Sequence, residues 1–156
     1  MAYTKSVTEH NVAFPSKVRS GGDGHVLNMY LAEDTDNGVI ASVGAWKDFD
    51  RYNVTAGNAG FKGILHAAAN GNWYVEVTEI NVANPPIFLY NAPIVEDQTL
   101  RGGEQYFFNA EGDTVKGYVL GLHDIVEESA AIFTGKPVEG KAVTVSGKKL
   151  VVASGN

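Results

Sequence analysis

Residues Phe133 to Ala153 read as a loop feeding a complete β-hairpin, and this stretch constrains the architecture more than any other. Val143 and Val145 alternate with Thr144 and Ser146, and Leu150 and Val152 resume the alternation after Ser146-Gly147-Lys148. Period-two alternation puts one set of side chains on a core and the other in solvent, and a glycine in the reversal supplies the positive φ that a tight turn needs. The same pattern recurs upstream. Eighteen glycines in 156 residues predict many turns between short strands rather than long helices.

Along the chain, residues 1–24 are polar, contain Pro15 and end in Ser20-Gly21-Gly22-Asp23-Gly24, which predicts a flexible, extended N-terminal arm. Residues 25–156 form the expected single β domain. Val26, Leu27, Met29 and Leu31 make a first strand, Asp36-Asn37-Gly38 a hairpin turn, and Val39 to Ala45 a second strand. Residues 61–69 pit alanines that favour a short helix against Gly63 and hairpin neighbours that favour a strand; we assign a strand. After Asn70-Gly71, Trp73, Val75 and Val77 alternate with Tyr74, Glu76 and Thr78. Asn84-Pro85-Pro86 then breaks the ladder, and Ile87 to Tyr90 suits a strand buried on both faces. Pro93 and Arg101-Gly102-Gly103 bracket a loop. Gln105 to Phe108 and Val115 to Leu122 are further strands, and residues 123–133 fit either a helical turn or a strand. About eight short strands imply an all-β closed barrel or sandwich.

Composition removes several classes of chemistry. Without cysteine there is no thiol nucleophile, disulfide or cysteine-based zinc site. The N-terminus lacks the apolar run of a secretory signal, and no run approaches a membrane span, so a soluble protein without a membrane partner is expected. The net charge of −6 divides into +1 for residues 1–23, +3 for residues 133–156 and −10 between them. An acidic body disfavours nucleic-acid binding, which needs a basic face to displace phosphate counterions. Basic ends suit docking on an acidic protein partner, or are solvated lysines on edge strands.

Catalytic constellations are not distinguished. Glu33-Asp34-Thr35-Asp36-Asn37-Gly38 misses the EF-hand register, since Asp34 as first ligand puts Gly38 fifth and Ala45 twelfth, so a solvated hairpin tip is expected. Gly21-Gly22-Asp23-Gly24-His25 lacks the Lys-Ser/Thr of a phosphate loop, and His10, His25, His66 and His123 have no ligand spacing. Glu76, Glu79, Glu96 and Glu104 offer nominal carboxylate pairs, none marked out, and no serine elbow is present. The expectation is a non-enzyme without metal or cofactor. Trp46 and Tyr52 are candidate surface aromatics, with Trp73, Tyr74 and Tyr90 also considered; Trp73, flanked by valines, is assigned to core or interface. Such rings suit sugar or protein partners.

The polar arm, the glycine-rich cysteine-free β body and the closing Phe-Thr-Gly-Lys-Pro-Val-Glu-Gly-Lys-Ala-Val-Thr-Val stretch together resemble small capsid decoration, or cement, proteins of tailed bacteriophages. The resemblance covers roughly the whole chain in style and carries no site residue by residue. It implies a virion protein on the capsid surface, made in the host cytoplasm, often trimeric, tying neighbouring major capsid subunits together. On that reading Lys5, Phe14, Lys17, Arg19, Lys148 and Lys149 are expected capsid or intersubunit contacts. The alternative is a carbohydrate-binding β-sandwich module.

Overall fold

The computed structural model describes residues 11–18, 26–68, 71–91 and 108–153. They form twelve strands: β1 (Ala13–Lys17), β2 (Val26–Tyr30), β3 (Ile40–Asp48), β4 (Arg51–Thr55), β5 (Lys62–Ala67), β6 (Trp73–Glu79), β7 (Pro86–Tyr90), β8 (Thr114–Val119), β9 (Ile125–Glu128), β10 (Phe133–Thr134), β11 (Ala142–Ser146) and β12 (Lys149–Val152). Among the described residues, one 3-10 turn covers Ala130–Ile132. The all-β expectation holds, with more and shorter strands than the sequence suggested. Five strands close into a barrel in the order β2-β4-β3-β7-β8, and seven make a sheet in the order β1-β9-β6-β5-β11-β12-β10. One hydrophobic core runs through both, from Met29, Ile87 and Val115 in barrel strands to Leu65, Val75, Val126, Val143 and Leu150 in the sheet.

Local patterning worked at the terminal hairpin and at β5–β6, but not at β3–β4: the stretch from Trp46 to Tyr52, expected as a connection leading into a loop, instead carries the end of β3, a two-residue tip and the start of β4. Val145 faces Leu150 and Ser146 faces Lys149 across the terminal hairpin, and Gly147 holds φ at 58° in the two-residue reversal. Residues 62–67 form a strand that pairs antiparallel with β6, where Val75 and Val77 are fully buried. β7 buries Pro86 to Leu89, as its continuous apolar run predicts. Residues 123–133 divide between β9, the 3-10 turn and the start of β10. The expected strand at 105–108 and the loop around Pro93 and Arg101 lie outside the described residues, Phe108 excepted.

The expected hairpin through Asn37-Gly38 is not formed. β2 pairs parallel with β4 and antiparallel with β8, while β3 pairs with β4 and β7. The reason is that Asn37 is itself buried and acts as a clamp. Its Nδ2 donates to the Asn91 carbonyl at 2.8 Å, and its Oδ1 accepts from Asn91 N and Asn109 Nδ2, both at 3.0 Å. Gly38 N donates to the Leu89 carbonyl at 2.8 Å. Thr35 and Asn109 exchange backbone hydrogen bonds beside them. Glu33 and Asp34 are solvent-exposed as expected, but Thr35, Asn37 and Gly38 are buried; the turn signal has been drawn into a side-chain network that closes the barrel.

Within the stretch assigned to the arm, Ala13–Lys17 is an edge strand on β9, with Ala13 opposite Glu128 and Phe14 opposite Glu127. Pro15 lacks an N–H and suits an edge position. Residues 1–10 and 19–25 lie outside the described residues.

Candidate functional site

One buried node and two surface features carry polar or aromatic groups that could act on a partner. The buried node anchors β1. Asn11, almost wholly buried, donates through Nδ2 to the Asn37 carbonyl at 2.8 Å and to Glu128 Oε1 at 2.9 Å. Its Oδ1 accepts from Ser129 Oγ at 2.7 Å, and its backbone N–H donates to Asp36 Oδ2 at 3.1 Å. Ser129 Oγ in turn accepts from Val12 N at 2.9 Å. Glu128 is fully buried, and its Oε2 makes no hydrogen bond. Burial pushes its carboxyl well above the ordinary carboxylate range, against a smaller lowering by the Asn11 amide. A fully buried, tightly packed acid at a strand junction ties barrel to sheet; packed against Ala13 and Gly38, it is a structural node.

The second feature is a histidine-carboxylate clasp on the sheet. His66 on β5 stands between two acids: Nε2 lies 3.2 Å from Glu76 Oε1 on β6, and Nδ1 lies 3.1 Å from Glu139 Oε2. His123 Nδ1 lies 3.4 Å from Glu76 Oε2. The hydrogen bonds from His66 and then His123 hold the Glu76 carboxyl below its ordinary value. Glu139 is lowered chiefly by the Ala67 backbone N–H, which it accepts at 2.7 Å through Oε1, and then by His66. His123 is the only non-glycine with positive φ, 70°, among the described residues, a mildly strained turn position. The sequence separates these residues by up to 73 positions, so only strand pairing reveals the cluster. Even so, no group of three or more His, Asp or Glu is arranged to hold a metal ion among the described residues.

The third feature is the β3–β4 hairpin. Trp46 faces Tyr52 across the ribbon, and Asp48 faces Arg51 around the Phe49-Asp50 tip. Trp46 is 64% exposed and Phe49 94% exposed, while Tyr52 packs partly against the core. The Arg51 guanidinium forks onto the Asp48 carboxylate, which holds that acid below its ordinary value. Arg51 and Lys47 both sit over the Tyr30 ring, at 5.1 and 4.8 Å from its centroid. The tip presents Phe49, a residue that the sequence reading passed over in favour of Trp46.

The expected contact residues disperse. Lys5 and Arg19 lie outside the described residues, and Lys17 closes β1. Phe14 packs its ring 6.3 Å from Tyr90. Lys148 is engaged inside the chain, 3.0 Å from Glu33 Oε1 and donating to the Asp34 carbonyl at 2.7 Å, and Lys149 donates to the Ala131 carbonyl at 2.8 Å. Beneath Lys148 opens a cavity of about 190 Å³ walled by Leu31, Val39, Ala41 and Val54. No family model, curated protein or solved structure matches this chain.

Proposed function

We propose that this chain is a non-enzymatic virion structural protein that binds the outer surface of a tailed-phage capsid lattice as a trimer, with the major capsid protein as its partner. The observation that carries the reading is the anchoring of the N-terminal segment. Asn11 and β1 are fixed to the body by a buried hydrogen-bond node and an antiparallel pairing with β9. The other edge of β1 pairs with no strand among the described residues. An edge strand so held is a template on which a neighbouring chain can add a strand, and repetition over a shell converts weak contacts into firm retention. Lys5, Lys17 and Arg19 make this region basic, complementary to an acidic partner surface.

The test follows from the anchor. Removal of residues 1–18, which takes away β1 and its free edge, is expected to abolish retention on particles when assayed well below the variant's melting temperature, whereas removal of residues 1–10 leaves Asn11 and β1 in place and should keep it. Retention of the chain lacking residues 1–18 at the full-length level overturns the assignment. Mass spectrometry of purified particles should also return a fixed, high ratio of this chain to the major capsid protein.

The exposure of Trp46 beside Tyr52 favours one second reading, a carbohydrate-binding module in which the indole stacks on a pyranose face. Glycan-array binding lost on Trp46→Ala supports it; no binding to any glycan removes it.

A further inference from the structure

We infer that β1 is a proton-operated latch: with Glu128 protonated the strand lies docked on β9, and loss of that proton undocks it while the rest of the fold stays closed. This goes beyond the lattice reading and does not depend on it, since it concerns how β1 is held and not what it meets. Glu128 ends β9, with Ala13 of β1 opposite it on one side and Trp73 of β6 on the other. It is wholly buried; Oε1 accepts the Asn11 amide at 2.9 Å, and Oε2 has no hydrogen-bond partner. A carboxylate that keeps its charge in such a place needs a cation or several N–H donors around it, and one amide is too little.

The charged groups on the surrounding elements do not supply the cation. The one charged residue of β1 is Lys17, which pairs with Ile125 at the far end of the ladder. The segment before β3 brings Asp36, whose Oδ2 accepts the Asn11 N–H at 3.1 Å. β9 itself adds Glu127, which accepts from Asn72 Nδ2 at 2.8 Å. On β6, Glu76 stands opposite Ile125, and Glu79 pairs with Lys62. Burial is accordingly the chief influence on the Glu128 carboxyl, opposed only by the Asn11 amide.

Among the elements that cover Glu128, β1 has the least holding it. It is five residues long, pairs with β9 alone among the described strands, shifts register between Phe14 and Lys17, and contains Pro15, which has no N–H to donate. β6 is held on both sides, by β5 and β9. Gly38 is fixed by its own N–H to the Leu89 carbonyl and, through Asn37, to Asn91 and Asn109. An edge element of this type opens at lower free energy than the whole fold. Undocking carries Asn11 and Ala13 away and admits water to the carboxylate, while the β9-β6-β5 ladder persists. Because the docked carboxyl is raised, docking takes up a proton. Docking is therefore firmest below the ordinary value of about 4.3, weakens by up to tenfold per pH unit above it, and levels off once pH passes the raised value.

Amide hydrogen exchange of the full chain between about pH 4 and about pH 8, corrected for the intrinsic rate at each pH, tests the latch. Two amides report: the Val12 N–H, which donates to Ser129 Oγ at the start of β1, and the Leu65 N–H of β5, which donates to the Lys141 carbonyl. In wild type, Val12 protection is expected to fall by up to tenfold per pH unit and to lie below that of Leu65 at every pH. In Glu128→Gln, which cannot ionise, it should stay level. The inference is overturned if Val12 protection in wild type does not change with pH, or if Glu128→Gln loses it as wild type does. Equal protection of Val12 and Leu65 also overturns it, since β1 is then freed only when the whole chain unfolds. Wild type alone decides the first and last of these, so the outcome does not hang on the variant's folding. Particle retention is read separately, so failure here leaves the lattice reading to its own test.

Discussion

Gly38 and Glu128 meet so closely that a β-carbon on Gly38 would lie 2.0 Å from Glu128 Oε1. The glycine, at φ +89°, ends the Asn37 clamp at the mouth of the barrel, and the acid ends β9 in the sheet. Gly38→Ala therefore incurs both a left-handed backbone penalty and a clash with a side chain that is packed on every side. A loss of roughly 3 kcal/mol is expected, as the sum of these two costs. Urea unfolding of the variant checks it; a change within error would mean that the two sheets slide apart without penalty.

Glu128 should make the fold less stable as pH rises. Its carboxyl in the folded chain is raised above the unfolded value, so the folded state binds the proton more tightly. The stabilising protonation is complete below the unfolded value, near 4.3, and is lost as pH climbs towards the folded value. Across that window each pH unit costs up to about 1.4 kcal/mol. Glu128→Gln keeps the shape, keeps an acceptor for Asn11 and cannot ionise. Its melting temperature should exceed wild type at neutral pH, with the gap closing near pH 4. A constant gap across that range would refute the buried proton.

Asn11→Ala removes donors to Asn37 and Glu128 and the acceptor for Ser129, leaving buried partners unpaired. A loss of roughly 2 to 4 kcal/mol is expected. By the same argument, truncation through residue 18 should lower the melting temperature markedly, whereas truncation through residue 10 should not. Equal melting of the two truncated chains would show that β1 contributes nothing to the body.

Glu139→Ala should release the segment before β11 from the sheet without unfolding the chain. The carboxylate accepts the Ala67 N–H and contacts His66, both near the surface. The measurable change is faster amide exchange at Ala67, with little change in melting temperature, because exposed ion pairs add little to global stability. Because its carboxyl is held low, this contact persists above the ordinary carboxylate value and fails as pH falls through the lowered one. Unchanged exchange at Ala67 in the variant would remove the clasp.

Sequence alone determined several elements whose partners lie next to them in the chain, though not β4, whose pairing with β3 falls in a stretch that reads as a connection. Alternation in Val143-Thr-Val-Ser and Leu150-Val-Val, with Gly147 between, specifies β11 and β12 because both the side-chain period and the turn act over a few residues. The β5–β6 hairpin and the doubly buried β7 were legible for the same reason. Tertiary structure decided the rest. Asn37-Gly38 has the composition of a hairpin turn, but Asn91 and Asn109, 54 and 72 residues away, claim its amide. Ala13–Lys17 reads as arm because an edge strand need bury only one side, and its partner β9 comes more than a hundred residues later. Glu127 and Glu128 are adjacent and chemically identical, yet only the closure of barrel on sheet removes Glu128 wholly from water and raises its carboxyl. Hydrophobic period and turn chemistry are short-range, whereas desolvation, parallel pairing and cavity shape depend on which distant surfaces meet.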